Sequence, residues 1–357
     1  MNAISRRAME IGRLMLNNKT ILITGGTGSF GKKMLQIVLA QYKPKRLIIF
    51  SRDELKQFEM AQKWGPHKYP CIQYILGDVR DKDRLMSVFK GVDYVIHAAA
   101  LKQVPAAERN PEEYIKTNVL GAMNIIDAAI HCKVRRVVAL STDKACNPIN
   151  LYGATKLCSD KLFTAAGFSA AEGETRFAVV RYGNVLGSRG SVVPFFKERL
   201  KTGVLPITDE RMTRFWIMLD QAVHFVLESL KRMKGGEIFV PRIPSMKIAD
   251  LARAIGPKCK LEVVGIRPGE KIHETLISED EARSAVMFKD CFVVQHNAAL
   301  RSELTKGKGQ PCPDGFGYNS GDNDTWLSVE DLKRLVEQIT DDYAIEDSRW
   351  SMDDLPE

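Results

Sequence analysis

The sequence contains no apolar run near the roughly 20 residues that a membrane-spanning helix needs, so no membrane partner is expected. Its seven cysteines (Cys71, Cys132, Cys146, Cys158, Cys259, Cys291 and Cys312) are scattered, odd in number and free of any CxxC pair. That argues against a disulfide framework and against a metal site, and it points to a reducing cytoplasm. None has a nucleophile's surroundings, so ordinary buried thiols are expected. Internal repeats, low-complexity tracts and Gly/Ser linkers are missing as well. A clustered basic stripe is also absent: Lys and Arg outnumber Asp and Glu by 52 to 44, but they lie among acids along the whole chain. With no recognition motif beside them, nucleic acid is not an expected partner. An anionic small-molecule substrate accounts for the mild positive field. Residues 1–16 carry Arg6, Arg7 and Arg13 but no continuous apolar core, which makes a poor secretory signal. They read equally as a short helical extension used in subunit contacts or as a frayed tail.

What is present fits a soluble globular chain. At 357 residues, 45% hydrophobic and 27% charged, it can hold one large or two ordinary domains. Lys19–Thr24 predicts a short buried strand, the glycine-rich Gly25-Gly26-Thr27-Gly28-Ser29-Phe30-Gly31 follows, and Lys32–Gln41 has helical spacing. Glycine in such a turn permits a tight bend and close approach of the backbone to a pyrophosphate, with the helix N-terminus facing the anion. Many strand-to-helix turns need glycine for other reasons, but this context points to dinucleotide binding. Further strands are predicted at Arg46–Phe50, Ile72–Leu76, Val92–His97, Val134–Leu140 and Arg176–Arg181. Helices are predicted at Glu54–Trp64, Lys82–Lys90, Pro111–His131 and from Tyr152 to about Ala166. This alternation implies an α/β fold with a doubly wound parallel sheet. Beyond it the helices Phe196–Lys201, Asp220–Arg232, Ile248–Ile255 and Trp326–Ile339 and a strand Glu237–Pro241 suggest a smaller mixed α/β lobe. The expected division is an extension at 1–16, a nucleotide-binding domain at 17–187 with segments returning from later in the chain, a mainly substrate-binding lobe at 188–340, and a flexible acidic tail at 341–357.

Around the predicted sheet, individual residues carry chemistry. Ser51-Arg52-Asp53 ends the second strand, where an acid suits a ribose 2′-hydroxyl and an arginine a 2′-phosphate. Ser51 and Arg52 come first, which favours NADP, unless Arg52 merely starts a solvated helix. Asp78 is placed to accept from an adenine amino group or, alternatively, to cap the next helix. His97 reads as a packed strand-end residue. Ala98-Ala99-Ala100 lets the backbone pass close to a flat cofactor, and Lys102 lies on the loop beyond. Ser141-Thr142-Asp143-Lys144 emerges at a strand's carboxyl end, the edge where open α/β sheets bind ligands. Tyr152 and Lys156 put a phenol and an ammonium on one helical face.

The motif Thr24 to Gly31 together with Tyr152-x-x-x-Lys156 resembles the extended short-chain dehydrogenase/reductases. More specific are Ser141 to Pro148, His97 to Lys102, Met212-Thr213-Arg214-Phe215 and Arg267-Pro268-Gly269-Glu270-Lys271. With these the chain is similar, almost end to end, to the soluble inverting UDP-N-acetylglucosamine 4,6-dehydratases. Residues 1–16 and Gln103, where a histidine often follows the loop lysine, depart from that pattern. The resemblance implies a tightly bound, recycled NADP held by Gly25, Thr27, Gly28, Ser29, Phe30, Gly31, Ser51, Arg52, Lys56, Asp78, Val79, Ala98, Lys102, Tyr152 and Lys156. It implies substrate contacts from Lys102, Asn184, Arg189, Val192, Thr208, Arg267 and Glu270, the arginines on the diphosphate; an ion pair between Glu270 and Lys271 is the rival for that glutamate. It also implies a homo-oligomer, hexameric by family habit, and a product, UDP-2-acetamido-2,6-dideoxy-β-L-arabino-hex-4-ulose, that begins pseudaminic acid synthesis for flagellin or surface glycans.

The chemistry follows from the residues. A hexose C5 proton becomes acidic only once C4 is a ketone. Tyr152, its phenol pKa lowered by Lys156 and by the cofactor's charge, takes the C4 hydroxyl proton, and Thr142 holds the same oxygen. Lys144 takes the C5 proton and Asp143 protonates the departing C6 hydroxyl, so Lys144 must act as an amine and Asp143 as an acid. The rival for this pair is a weak surface ion pair; for Tyr152 alone it is a packed core tyrosine. A UDP-sugar 4-epimerase needs only Tyr152 and Lys156, and retaining dehydratases carry a glutamate at position 144. A cofactor-sensing regulator without catalysis usually lacks the tyrosine.

Overall fold

The computed structural model describes residues 16–169, 174–186 and 192–338. Arg189, nearly all of the 1–16 extension and the acidic tail lie outside them. Six parallel strands begin the chain: β1 (Thr20–Thr24), β2 (Arg46–Ser51), β3 (Ile72–Leu76), β4 (Tyr94–His97), β5 (Arg136–Thr142) and β6 (Arg176–Tyr182). Then come β7 (Asn184–Leu186), β8 (Val204–Ile207), β9 (Thr213–Met218), β10 (Ile238–Pro241), β11 (Ser245–Lys247) and β12 (Lys260–Val263). The last are β13 (Thr275–Ile277), β14 (Ala285–Met287), β15 (Cys291–Val294), β16 (Gln310–Pro311) and β17 (Tyr318–Asn319). Among the described residues the main sheet has ten strands in the order β16-β14-β15-β10-β6-β5-β4-β1-β2-β3. The order reverses at β1, with β4 on one side and β2 on the other, which is the switch point where such sheets bind ligands. β1 is buried along its whole length, as a strand covered on both faces must be.

Helix starts follow the local chemistry. Glu54–Lys63 is capped by Asp53, whose carboxylate accepts from the Lys56 amide at 3.0 Å. Lys82–Val88 is capped by Asp81 and not by Asp78, whose carboxylate turns to Arg80. The expected continuous helix Pro111–His131 is broken: a π turn over Ile115–Leu120 separates Pro111–Tyr114 from Gly121–His131. The helix carrying Tyr152 and Lys156 spans Leu151–Ser169. Phe196–Lys201 is not a helix of its own; the helix is Val192–Arg199, closed by a 3₁₀ turn over Leu200–Thr202. The last described helix is Val329–Glu337, capped by Ser328, so Trp326 and Leu327 precede it.

A smaller three-stranded sheet, β11-β9-β7, leaves the main body just after β6. A second hydrophobic core collects there, with Met212, Trp216 and Met246 against Val193, Phe196, Leu251 and Leu332. Among the described residues no helix is long and apolar enough to cross a membrane.

Candidate active site

The site grows from the carboxyl end of β5. Thr142 is the last residue of that strand, and Asp143–Ala145 turns at once into a single 3₁₀ turn. Asp143 is 1% exposed and Lys144 24%, so the pair is not a surface ion pair. Lys144 Nζ lies 3.1 Å from Asp143 Oδ1 and 3.2 Å from Glu274 Oε1. Burial alone would lower the lysine's pKa; the two carboxylates outweigh it and hold the ammonium form. Asp143 Oδ2 is buried without a partner.

Tyr152 arrives from the helix Leu151–Ser169, whose start is fixed by Asn150 accepting from the Gly153 amide at 2.8 Å. A Cβ at Gly153 would lie 2.2 Å from the Lys144 carbonyl oxygen, so only glycine lets this helix pass the Lys144 backbone. The Thr142 hydroxyl donates to Asp143 Oδ1 at 2.9 Å and shares a hydrogen bond with the Tyr152 phenol. Thr142, Asp143, Lys144 and Tyr152 thus form one connected group.

Two electrostatic expectations change. The Tyr152 phenol is pushed up to about 12 by burial, and the cation that opposes this is Lys144, together with the Thr142 hydrogen bond. Lys156 instead donates to the Leu140 carbonyl at 2.8 Å, and burial lowers its pKa. Behind it Asp160 accepts from Ser141 at 2.8 Å and pairs with the fully buried Arg181 at 3.2 Å, which in turn meets Glu281 at 2.8 Å. His97 is buried, bonds the Thr24 hydroxyl at 2.8 Å, and is held neutral by burial and by the nearby Lys156 charge.

The glycine-rich turn opens on the same edge. Gly25 has φ +63°, and a Cβ there would meet the Ala99 amide nitrogen at 2.8 Å, so the turn lies directly on Ala98-Ala99. Thr27 is buried, and Gly28 begins the helix Ser29–Gln41 in extended conformation with no side-chain cap. A Cβ on Gly28 would meet only the Gly25 carbonyl oxygen, so the space above an uncapped helix start is open, which fits a pyrophosphate. Phe30 packs at the edge of the core and Gly31 and Val79 are buried. Ser51 is buried with its hydroxyl accepting from Gln57 at 3.0 Å. Arg52 is 51% exposed and lies 3.6 Å from Asp78, which also holds Arg80. Lys56 pairs with Asp53. Ala98 is half-buried and Lys102 is exposed on the loop.

Of the expected substrate residues, Asn184, Val192, Thr208, Arg267 and Glu270 follow β6 in the chain. Asn184 opens β7, and its Oδ1 is buried without a partner. Val192 and Thr208 are half-buried, and Arg267 is 62% exposed. Glu270 faces Arg267 at 3.7 Å and not Lys271, which donates to the Cys146 carbonyl at 2.7 Å. Asn150 donates to the Gly269 carbonyl at 2.8 Å, so this loop is fastened to the turn after Lys144. Glu270 Oε2 is also buried and unpartnered.

Glu274, Arg214, Asp160 and Asn118 were assigned no chemical role in the sequence. The group Met212-Thr213-Arg214-Phe215 marked the neighbourhood of Arg214; nothing local marked Glu274.

The family model described as "Polysaccharide biosynthesis protein" matches residues 21–296. An inverting UDP-N-acetylglucosamine 4,6-dehydratase of Campylobacter jejuni is 54% identical over 90% of this chain and 98% of its own. A UDP-glucose 4-epimerase of Rickettsia conorii is 44% identical over 93% and 99%. The X-ray structure of Pen from Bacillus thuringiensis superposes with a TM-score of 0.84 at 37% identity, covering 92% of this chain and all (100%) of Pen. The chain belongs to the polysaccharide biosynthesis protein family, beside the inverting UDP-N-acetylglucosamine 4,6-dehydratases.

Proposed function

We propose that the chain removes water from UDP-N-acetylglucosamine across C5 and C6 and inverts C5, with NADP as a recycled hydride carrier. The observation that carries this reading is the Lys144 amine between two buried carboxylates, one hydroxyl away from Tyr152. The likeness to the Campylobacter dehydratase supports it. Bound dinucleotide supplies a reversible hydride acceptor, oxidising C4 and later reducing C6.

Tyr152 accepts the C4 hydroxyl proton, and Thr142 holds that oxygen. Because burial keeps the phenol protonated at rest, it becomes a base only when positive charge arrives beside it. Lys144 and Asp143 exchange one proton between them, with no change in net charge. The amine then takes the C5 proton, and the Asp143 acid next protonates the C6 hydroxyl. The C5–H and C6–O bonds break, a C5–C6 double bond forms and water leaves. Hydride at C6 and a solvent-derived proton added to C5 on the face opposite Lys144 complete an inverted 6-deoxy-4-keto sugar.

NADP is favoured over NAD because Asp53, the acid suited to a 2′-hydroxyl, is engaged by Lys56 and by its own helix, while Arg52 is half-exposed. The family resemblance extends the proposal to a cytoplasmic homo-oligomer at the head of pseudaminic acid synthesis, with Asn184, Arg189 and Arg267 on the UDP-sugar.

The Rickettsia relative's name makes a 4-epimerase the second reading. An epimerase has no use for an acid and a base at positions 143 and 144. Incubation with UDP-N-acetylglucosamine in deuterated water, followed by NMR, separates the two. A 6-deoxy-4-keto product with deuterium at an inverted C5 is expected; UDP-N-acetylgalactosamine alone would replace dehydration by epimerisation.

A further inference from the structure

We infer that Glu274 is a positioning residue for C5 deprotonation, holding the Lys144 amine as a second carboxylate opposite Asp143. This deepens the proposed dehydration and rests on it.

Glu274 comes from a loop far along the chain, immediately before β13, and is 2% exposed. It is placed from two sides. Its backbone amide donates to Ser320 Oγ at 2.9 Å, and its carbonyl accepts from the Ser320 amide at 2.8 Å. Ser320 is itself fixed by the Thr213 hydroxyl at 2.7 Å. One carboxylate oxygen then lies 3.2 Å from Lys144 Nζ and 3.9 Å from Arg214 Nε. The other oxygen is buried with no partner, as is one oxygen of Asp143 on the same amine. An ion pair present only for stability is expected to satisfy both oxygens, so two half-satisfied carboxylates around one amine mark a site built for chemistry.

The charge accounting gives Glu274 its task. The groups facing Lys144 are Asp143 on its own turn, Tyr152 on the following helix, Arg214 on β9 and Glu274. When Lys144 is an amine and Asp143 an acid, Glu274 and Arg214 still cancel. Once Lys144 has taken the C5 proton, and while Asp143 still holds its own, Glu274 is the carboxylate facing the new ammonium. Delivery of the Asp143 proton to the departing hydroxyl then restores the resting charges. The same carboxylate raises the proton affinity of Lys144 and so sets its strength as a base.

Glu274→Gln keeps the shape and removes the charge. In single turnovers with the NADP-loaded enzyme and UDP-N-acetylglucosamine, C4 oxidation is read from reduced-dinucleotide absorbance and elimination from the 6-deoxy product. C4 oxidation is expected to stay within about threefold, while elimination falls by about a hundredfold. Glu274→Asp keeps the charge at shorter reach, so elimination should recover to within about tenfold of the wild-type rate with oxidation unmoved. That variant decides the matter should the glutamine form fail to fold. Oxidation and elimination falling in parallel, or elimination undiminished, would overturn the inference alone. A wild-type enzyme that makes no keto sugar would overturn the dehydratase reading and this inference together.

Discussion

Lys144 must meet the C5 proton as an amine, yet at rest it faces two carboxylates that favour its ammonium form. A proton shared with Asp143 at 3.1 Å resolves this without moving net charge into a buried site. The residues closest to the chemistry were legible in the sequence because they are contiguous: a strand end followed by Thr142, Asp143 and Lys144, then a helix bearing Tyr152 and Lys156. Glu274 was not, because a glutamate following His273 looks solvated until the fold carries it to Lys144. The expected help from Lys156 to the phenol also fails at this scale, since Lys156 is turned to the Leu140 carbonyl. His97 makes a residue-scale prediction. Its imidazole is lowered to about 3 by burial, so between that value and its ordinary pKa the unfolded chain binds a proton that the folded one excludes. His97 therefore costs no stability above about pH 6.5 and penalises folding progressively as pH falls toward 3. Between about pH 7.5 and about pH 4.5 the penalty is on the order of 2 kcal/mol. Urea unfolding at both pH values should show that His97→Gln shrinks the wild-type difference by about this amount; an unchanged difference would contradict it.

At the scale of elements, the broken helix between Pro111 and His131 has the clearest consequence. Apolar spacing across those residues reads as one continuous helix, because a π turn adds a residue to one turn without altering composition. The extra residue accompanies the placement of Asn118 against the loop after β4. Its side chain accepts from the Leu101 amide at 2.9 Å, donates to the Leu101 carbonyl at 2.9 Å, and donates to Thr155 Oγ1 at 3.0 Å. It thereby ties the loop bearing Lys102 to the helix bearing Tyr152. Asn118→Ala leaves the Leu101 amide and carbonyl without these partners, at a cost of about 2–3 kcal/mol. Thermal unfolding should show the loss, and NADP affinity should fall with it; an unchanged melting temperature with unchanged affinity would show that the clamp is idle. The missed helix start at Val192 and the cap at Asp81 have ordinary causes. Val192-Val193-Pro194 does not look like a helix start, and Asp78 and Asp81 are equally plausible caps until the turn between them is known.

Taken whole, the molecule joins two sources of chemistry at one sheet edge. The parallel strands β1 to β6 bring the glycine-rich turn, Thr142 and the Tyr152 helix together, and the alternation of apolar strands and amphipathic helices made that half readable. The later chain was harder to read. Its strands are two to six residues long, and β15, β14 and β16 extend the main sheet beyond β10, each antiparallel to the strand before it in the sheet. Three or four residues carry too little periodicity to mark a strand. Yet this later chain delivers Arg214 and Glu274 to Lys144 and fastens Gly269 and Lys271 to the turn behind it. The central claim is a division of labour, with Tyr152 and Thr142 serving oxidation at C4 and Lys144 with Asp143 serving elimination. The most direct measurement is a single turnover of Lys144→Ala, loaded with NADP, on UDP-N-acetylglucosamine in deuterated water. The account predicts that reduced dinucleotide still forms, within about tenfold of the wild-type rate, while 6-deoxy product and C5 deuterium fall by about a thousandfold. Undiminished dehydration by that variant would contradict it.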